Sequence, residues 1–371
     1  MTRHPLRTFT ALALASVLSA CGGGGGGDAD DSSAAPAAAP PSTTTGAVPD
    51  GTVSTPEAPA PIMIPAPAPA PAGTSQPADQ ASTAPRPTYA QGSEELAAFD
   101  FLNAERGRCG FGLLAQNTKL DAAAKAHADY QLVNNLFQHT EDRASYPTGF
   151  TGTTPWDRFA YQGYTNLGGG VDQITGISGT ADKAGFGVQG IRNLLNAPYH
   201  LKGLMAGMRE MGVSVRSSTD TATAQPRVLL QYDAAYTQAA GPQNLSSADV
   251  QTYPCDGSAG VNRQLTNESP APVPGRNLQS NPLGTSVYFS VRSGNALVVD
   301  SVTMTDARTG SQVALRGVIT SANDPNREFL ANEAYVAADA PLAANTSYQV
   351  TVTGTNNGTS FSRTFTFTTG S

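Results

Sequence analysis

The chain is expected to fold as an α+β domain followed by an all-β sandwich, and three observations carry that expectation. Apolar residues recur at helical spacing in two stretches between residues 93 and 136. Two short apolar runs that read as strands follow, at Met211–Val215 and Val228–Tyr232. Over the last hundred residues apolar residues alternate instead, with turn residues between the runs.

Taken in order, residues 1–20 read as a secretion signal. Arg3 and Arg7 give a basic start, and the apolar stretch from Phe9 to Leu18 is too short to cross a bilayer as a stable helix. Residues 21–92 form a Gly/Ala/Pro/Thr-rich tether without periodicity. Such a run buries too little apolar surface to offset its ordering entropy, so disorder is expected, extended where Ala-Pro repeats. The first domain is expected over 93–258. Ser93 caps a helix that opens on Glu94 and Glu95, acids that suit the positive end of a helix, and the helix stops at Gly107-Arg108-Cys109-Gly110. A second helix, capped by Asn117 or Thr118, is expected from about Lys119 to Leu136 with Leu120, Ala123, Ala124, His127 and Ala128 on its apolar face. The Gly- and Thr-rich stretch from Thr140 to Gly190 is expected to be mostly loops, with one short helix at Pro155–Tyr161. A further helix is expected near Ala184–Leu195. The sandwich is expected over 270–371, where Val287, Phe289 and Val291 alternate, as do Tyr348, Val350 and Val352. Asn356-Asn357-Gly358 there is a hairpin signal.

Composition narrows the function. The 371 residues carry 38 Gly and 27 Pro, only 14% are charged, and the net charge is −7. No run of Lys or Arg could neutralise a row of phosphates, so no nucleic-acid partner is expected. Of 3 Cys, Cys109 and Cys255 are expected to close into a disulfide in an oxidising compartment, the alternative being two separate buried thiols. Cys21 is different. Leu18-Ser19-Ala20-Cys21 resembles the lipobox of bacterial lipoproteins, which implies lipidation of Cys21, attachment to a membrane through that lipid, and a place in the cell envelope. Gly rather than Asp after the Cys implies the outer membrane. The alternative is an ordinary signal peptide cut near Ala20.

Beyond His4, which falls in the signal, the histidines are His127, His139 and His200, all in the first domain. Leu102-Asn103-Ala104-Glu105-Arg106, the helix ending at His127-Ala128, Phe137-Gln138-His139-Thr140, Trp156-Asp157-Arg158-Phe159 with Gly163-Tyr164, Asn196-Ala197-Pro198-Tyr199-His200 and Glu210-Met211-Gly212-Val213 occur in that order. Together they resemble the motifs of the CAP superfamily, the SCP-like extracellular domains. The resemblance implies a three-layer α-β-α sandwich with a central cleft lined by two His and two carboxylates that can hold Zn²⁺ or another divalent cation. Carried over residue by residue, these are His139, His200, Glu210 and Asp172, the last replacing the family's usual Glu within Val171-Asp172-Gln173-Ile174. Imidazole nitrogens and carboxylate oxygens suit such an ion, while a polar cleft that binds no ion is the alternative. His127, on the apolar helix face, reads as a core histidine, and Glu141 and Asp142 read as surface charges.

No Gly-x-Ser-x-Gly elbow, His-Glu-x-x-His helix or reactive Cys is present. The expectation is therefore a binding module for an unknown small-molecule, lipid or cell-wall ligand. A metal-dependent extracellular hydrolase acting on peptide, ester or cell-wall material is one alternative. Pro341-Leu342 through Tyr348 and Phe365-Thr366-Phe367-Thr368-Thr369 resemble bacterial Ig-like domains, which implies a spacer, with adhesion as the other alternative.

Overall fold

The computed structural model describes residues 18–20 and 76–371, apart from 222 and 224. In chain order the first part contains β1 (Leu18–Ala20), α1 (Glu94–Cys109), β2 (Ala115–Gln116), α2 (Thr118–Val133), α3 (Pro155–Tyr161), β3 (Leu167–Ser178), α4 (Phe186–Asn196), α5 (Pro198–Met205), β4 (Glu210–Ser217) and β5 (Arg227–Thr237). The remainder is all strand: β6 (Val250–Tyr253), β7 (Ala259–Val261), β8 (Ser286–Val291), β9 (Leu297–Asp306), β10 (Ile319–Thr320), β11 (Glu333–Ala337), β12 (Ser347–Asn356) and β13 (Thr359–Thr369). The chain is thus of the α+β class. Cys21 and most of the proposed tether lie outside the described residues.

Local chemistry sets the helix ends. The Ser93 hydroxyl accepts from the Leu96 N–H, and Gly110 takes the left-handed conformation (φ 75°) that closes α1. Asn117 caps α2. Thr154 and Asp157 form a reciprocal capping box on α3, with Pro155 in its first turn.

The helices cover both faces of a five-stranded sheet of order β1-β3-β5-β4-β2. Strand β5 pairs antiparallel with β3 on one side and β4 on the other. Side chains alternate across it. Leu229 packs with Leu132 and Ile174, and Ala235 with Leu120 and Phe159, beneath α2 and α3. Val228, Leu230 and Tyr232 face the opposite way, into a core with Leu102, Ile191 and Leu201 from α1, α4 and α5. Each fully buried Leu or Ile contributes roughly 1.5–3 kcal/mol, and that burial clamps the three layers.

Three expectations need correction here. The segment expected as loops contains β3, a strand of 12 residues. Its Gly168-Gly169-Gly170 run hides it, because neighbours crowd the backbone. A Cβ on Gly170 would lie 2.7 Å from the Trp156 ring, and one on Gly169 2.6 Å from the Tyr236 hydroxyl. The ordered part begins before 93: Asp79 pairs with Asn244, and Tyr89 donates to Asp121. Residues 79 and 89, expected within the tether, therefore pack on the folded part. Finally, the boundary expected between 258 and 270 does not divide the strands, since β6 and β7 belong to the second part.

That second part holds two four-stranded sheets, β10-β11-β8-β6 and β7-β13-β12-β9. Val287, Phe289, Val350, Val352, Phe365 and Phe367 fill the space between them. Asn357 (φ 51°) and Gly358 (φ 83°) give the β12–β13 hairpin its two left-handed turn residues. The Cys109–Cys255 disulfide is formed and ties the end of α1 to the residue just after β6. Aromatic packing of Tyr199 on Phe329 (centroids 5.6 Å) and Tyr335 (6.5 Å) joins the two parts further.

Candidate functional site

The site forms beside β3, where the loop after α2 meets helix α5 from the opposite helical layer. His139 follows α2, while His200 lies in α5 on the other side of the sheet, yet their ring centroids are 6.4 Å apart. His139 is the open member, with 38% of its side chain exposed; His200 is buried. Asp172, from the middle of β3, accepts from His139 Nδ1 at 2.5 Å, so the proton of that imidazole sits on Nδ1.

Asp172 is almost fully buried and both of its oxygens are engaged. Oδ1 meets His139, and Oδ2 accepts from Arg158 Nη2 at 2.6 Å and from Gln231 Nε2 at 2.7 Å. Burial pushes this carboxyl upward, but the Arg158 guanidinium and the His139 hydrogen bond outweigh it and hold Asp172 well below the usual carboxylate range. Arg158 is wholly buried in α3 and also donates to the His139 carbonyl at 2.9 Å, so one guanidinium fixes both ends of the His139–Asp172 pair.

Directly across the β3–β5 ladder from Asp172 stands Asp233, which is fully buried. Gln231 donates to its Oδ1 at 2.8 Å. Burial, and then the charge of Asp172, raise Asp233 well above the usual carboxylate range. Two adjacent carboxylates share one guanidinium here. The one that touches it is favoured as the ionised form, and the other is shifted toward its protonated form.

His200 Nδ1 lies 3.0 Å from Glu268 Oε1, which also accepts from the Tyr199 N–H. Glu268 is raised by burial, an effect that His200 partly offsets. It comes from the segment between β7 and β8, so the second part of the chain completes the site.

Of the four expected cleft residues, the structure brings His139, Asp172 and His200 together and places Glu210 elsewhere. Glu210 opens β4, two strands away from β3, and accepts from Asn117 Nδ2 at 2.8 Å and Tyr164 Oη at 2.7 Å. Its side chain anchors the start of α2. The motif position was legible, but its direction depends on the sheet register. Glu141, expected on the surface, is buried instead. It contacts His127 Nδ1 at 3.0 Å and accepts from the Thr151 and Gly152 N–H groups, while Asp142 is exposed. His127 is a fully buried core histidine whose basicity is lowered by burial and then by Arg158.

Two of the expected metal ligands already have other partners. Asp172 already has its cation in Arg158, and Glu210 serves Asn117 and Tyr164. Among the described residues, no group of three or more His, Cys, Asp or Glu side chains is disposed to hold a metal ion.

Sequence reasoning missed Arg158 as a site residue, and also Gln231, Asp233 and Glu268. The first three left a signal: Gln231 and Asp233 are polar residues on one face of an otherwise apolar strand, and Arg158 lies in a quoted motif. Glu268 left none. Comparison with protein-family models finds no match, and comparison with curated proteins finds none either.

Proposed function

We propose that the chain is a cell-envelope lipoprotein, anchored through Cys21, which presents a CAP-type cleft that binds a ligand without turning it over. An Ig-like sandwich is packed behind that cleft. The observation that carries the reading is the meeting of His139 and His200 beside β3, 6.4 Å apart, with one ring open to solvent and the other buried. The acidic groups around them have structural partners: Asp172 accepts from Arg158, Asp233 from Gln231, and Glu268 faces His200. What remains is a polar, partly enclosed surface with fixed donors, the ordinary make-up of a binding site.

Ligand-observed NMR on the full chain, with a muropeptide mixture, a fatty acid and a short peptide as probes, tests this. The reading expects saturable binding of one probe, lost in His139→Ala, with no product formed. Binding that is equal in wild type and variant overturns it. Metabolic labelling with palmitate tests the anchor, since label should disappear in Cys21→Ala.

One observation favours a second reading. An exposed imidazole pinned through Nδ1 by a buried carboxylate is also the arrangement of a general base. Ester or peptide hydrolysis that disappears in His139→Ala would establish a hydrolase in place of a binding module.

A further inference from the structure

A cavity of about 210 Å³ lies between α4–α5 and the segment that follows β7, with His200 as part of its wall. Its lining includes six side-chain amides: Gln189, Asn193, Asn196, Asn262, Gln264 and Asn267. Two of these amides carry buried N–H groups with no acceptor among the described residues, Asn193 Nδ2 and Asn196 Nδ2. Asn196 is only 3% exposed. The Asn196 amide cannot turn to relieve this, and turning Asn193 would require two neighbouring amides to turn with it. Asn196 Oδ1 accepts from the Ser286 N–H at 3.1 Å, so a flip would set donor against donor. Asn193 Oδ1 accepts from Gln189 Nε2 at 2.8 Å and Asn262 Nδ2 at 3.0 Å. An unmatched buried donor costs about 1–3 kcal/mol, and here two line the same cavity.

We propose that this pocket seats a neutral sugar ring, with Asn193 Nδ2 and Asn196 Nδ2 donating to its oxygens. The inference rests on the reading that the His139–His200 cleft binds a ligand, and it makes the pocket a subsite of that cleft. The chemistry of the wall selects the class. Amides both donate and accept, which matches hydroxyls that do the same. Arg263 is the one lining residue with a cationic side chain, and it donates to the Leu342 carbonyl. The apolar part of the wall is short, made of Leu194, Ala197, Val261 and Leu265, and suits the carbon face of a ring. Size agrees: the cavity is smaller than the roughly 300–1,000 Å³ of a drug-sized site and holds the equivalent of about seven waters, which limits the occupant to one ring. Residues of both parts of the chain build the walls, so the pocket exists only when α4–α5 and the segment after β7 are docked.

The test is calorimetric titration of the full chain with glucose and N-acetylglucosamine, beside glucuronate and inorganic phosphate. The inference expects saturable millimolar binding of a neutral sugar, weakened about tenfold in Asn193→Asp and in Asn196→Asp. Each substitution keeps one accepting oxygen and puts a second, ionisable oxygen where the donor was, so an unchanged melting temperature is needed to certify that the fold tolerates the change. Should Asn196→Asp melt early, Asn193→Asp and Gln264→Ala carry the comparison. Absence of saturable sugar binding overturns the inference, as does sugar binding that is equal in wild type and both Asn variants. Binding of glucuronate or phosphate alone also overturns it, making the cavity an anion site at Arg263. His139→Ala separates the two claims. If it loses the cleft probe while no sugar binds the wild type, only the pocket fails. If sugar binding stands and no probe depends on His139, only the cleft reading fails.

Discussion

Asp233→Asn should stabilise this protein increasingly as pH rises, although it removes a buried hydrogen-bonding acid from the centre of the first domain. In the folded state Asp233 faces Asp172 across the β3–β5 ladder, is wholly buried, and keeps its proton well above the usual carboxylate range. In the unfolded chain an aspartate ionises near 3.9. Folding above that pH therefore takes up one proton. The sign follows from linkage. A group whose folded pKa is raised contributes stability that is complete below the unfolded pKa and is lost as pH rises toward the folded one. For one proton the slope is about 1.4 kcal/mol per pH unit. An amide at 233 has no proton to take up, and its Oδ1 still accepts from Gln231. Urea unfolding of wild type and variant at several pH values between 5 and 8 gives the assay. The difference in unfolding free energy should grow in favour of Asp233→Asn as pH rises, at up to about 1.4 kcal/mol per pH unit while the folded group stays protonated. The neighbouring groups Asp172, His139, Arg158, His127 and Glu141 are present in both proteins, so the difference isolates Asp233. Two stability curves that run parallel over this range would refute the assignment of the proton to Asp233.

Other outcomes follow from the same network and from the joint between the two parts. Arg158→Met should destabilise the fold by about 3–5 kcal/mol, because it leaves the buried Asp172 without its cation; the shift in urea midpoint measures it. Replacing Cys109 and Cys255 together with Ala opens a loop spanned by a sequence separation of 146 and should cost about 5 kcal/mol on the chain-entropy estimate. In that case dithiothreitol should lower the wild-type melting temperature and leave the double variant unchanged. Zn²⁺ titration should give no saturable binding that depends on His139, since Arg158 already occupies the cation's place beside Asp172; one equivalent lost in His139→Ala would contradict that geometry.

Much of the helical layer was legible because its signals are local. Ser93, Asn117 and the Pro155 start stand within a turn of the groups they cap, so the sequence places those helix ends without help from distant residues. The β12–β13 hairpin is equally local, since the Asn357-Gly358 turn needs only two residues that tolerate positive φ. Strand β3 was not legible. Its glycines contribute backbone rather than apolar side chains, and its pairing partner β5 begins some fifty residues later. The site divides in the same way. His139, His200 and Asp172 stood out as residue types in a recognisable order. Where Glu210 points, which aspartate ionises, and that Glu268 reaches His200 depend on strand register and on the docking of the second part. What the sequence by itself determined is the α+β class, the starts of three helices and the disulfide pair, because each follows from short-range hydrogen bonding or from simple counting. Only the tertiary structure decided the charge pattern of the site, since a buried carboxylate takes its state from partners that are far away in sequence and a few ångströms away in space.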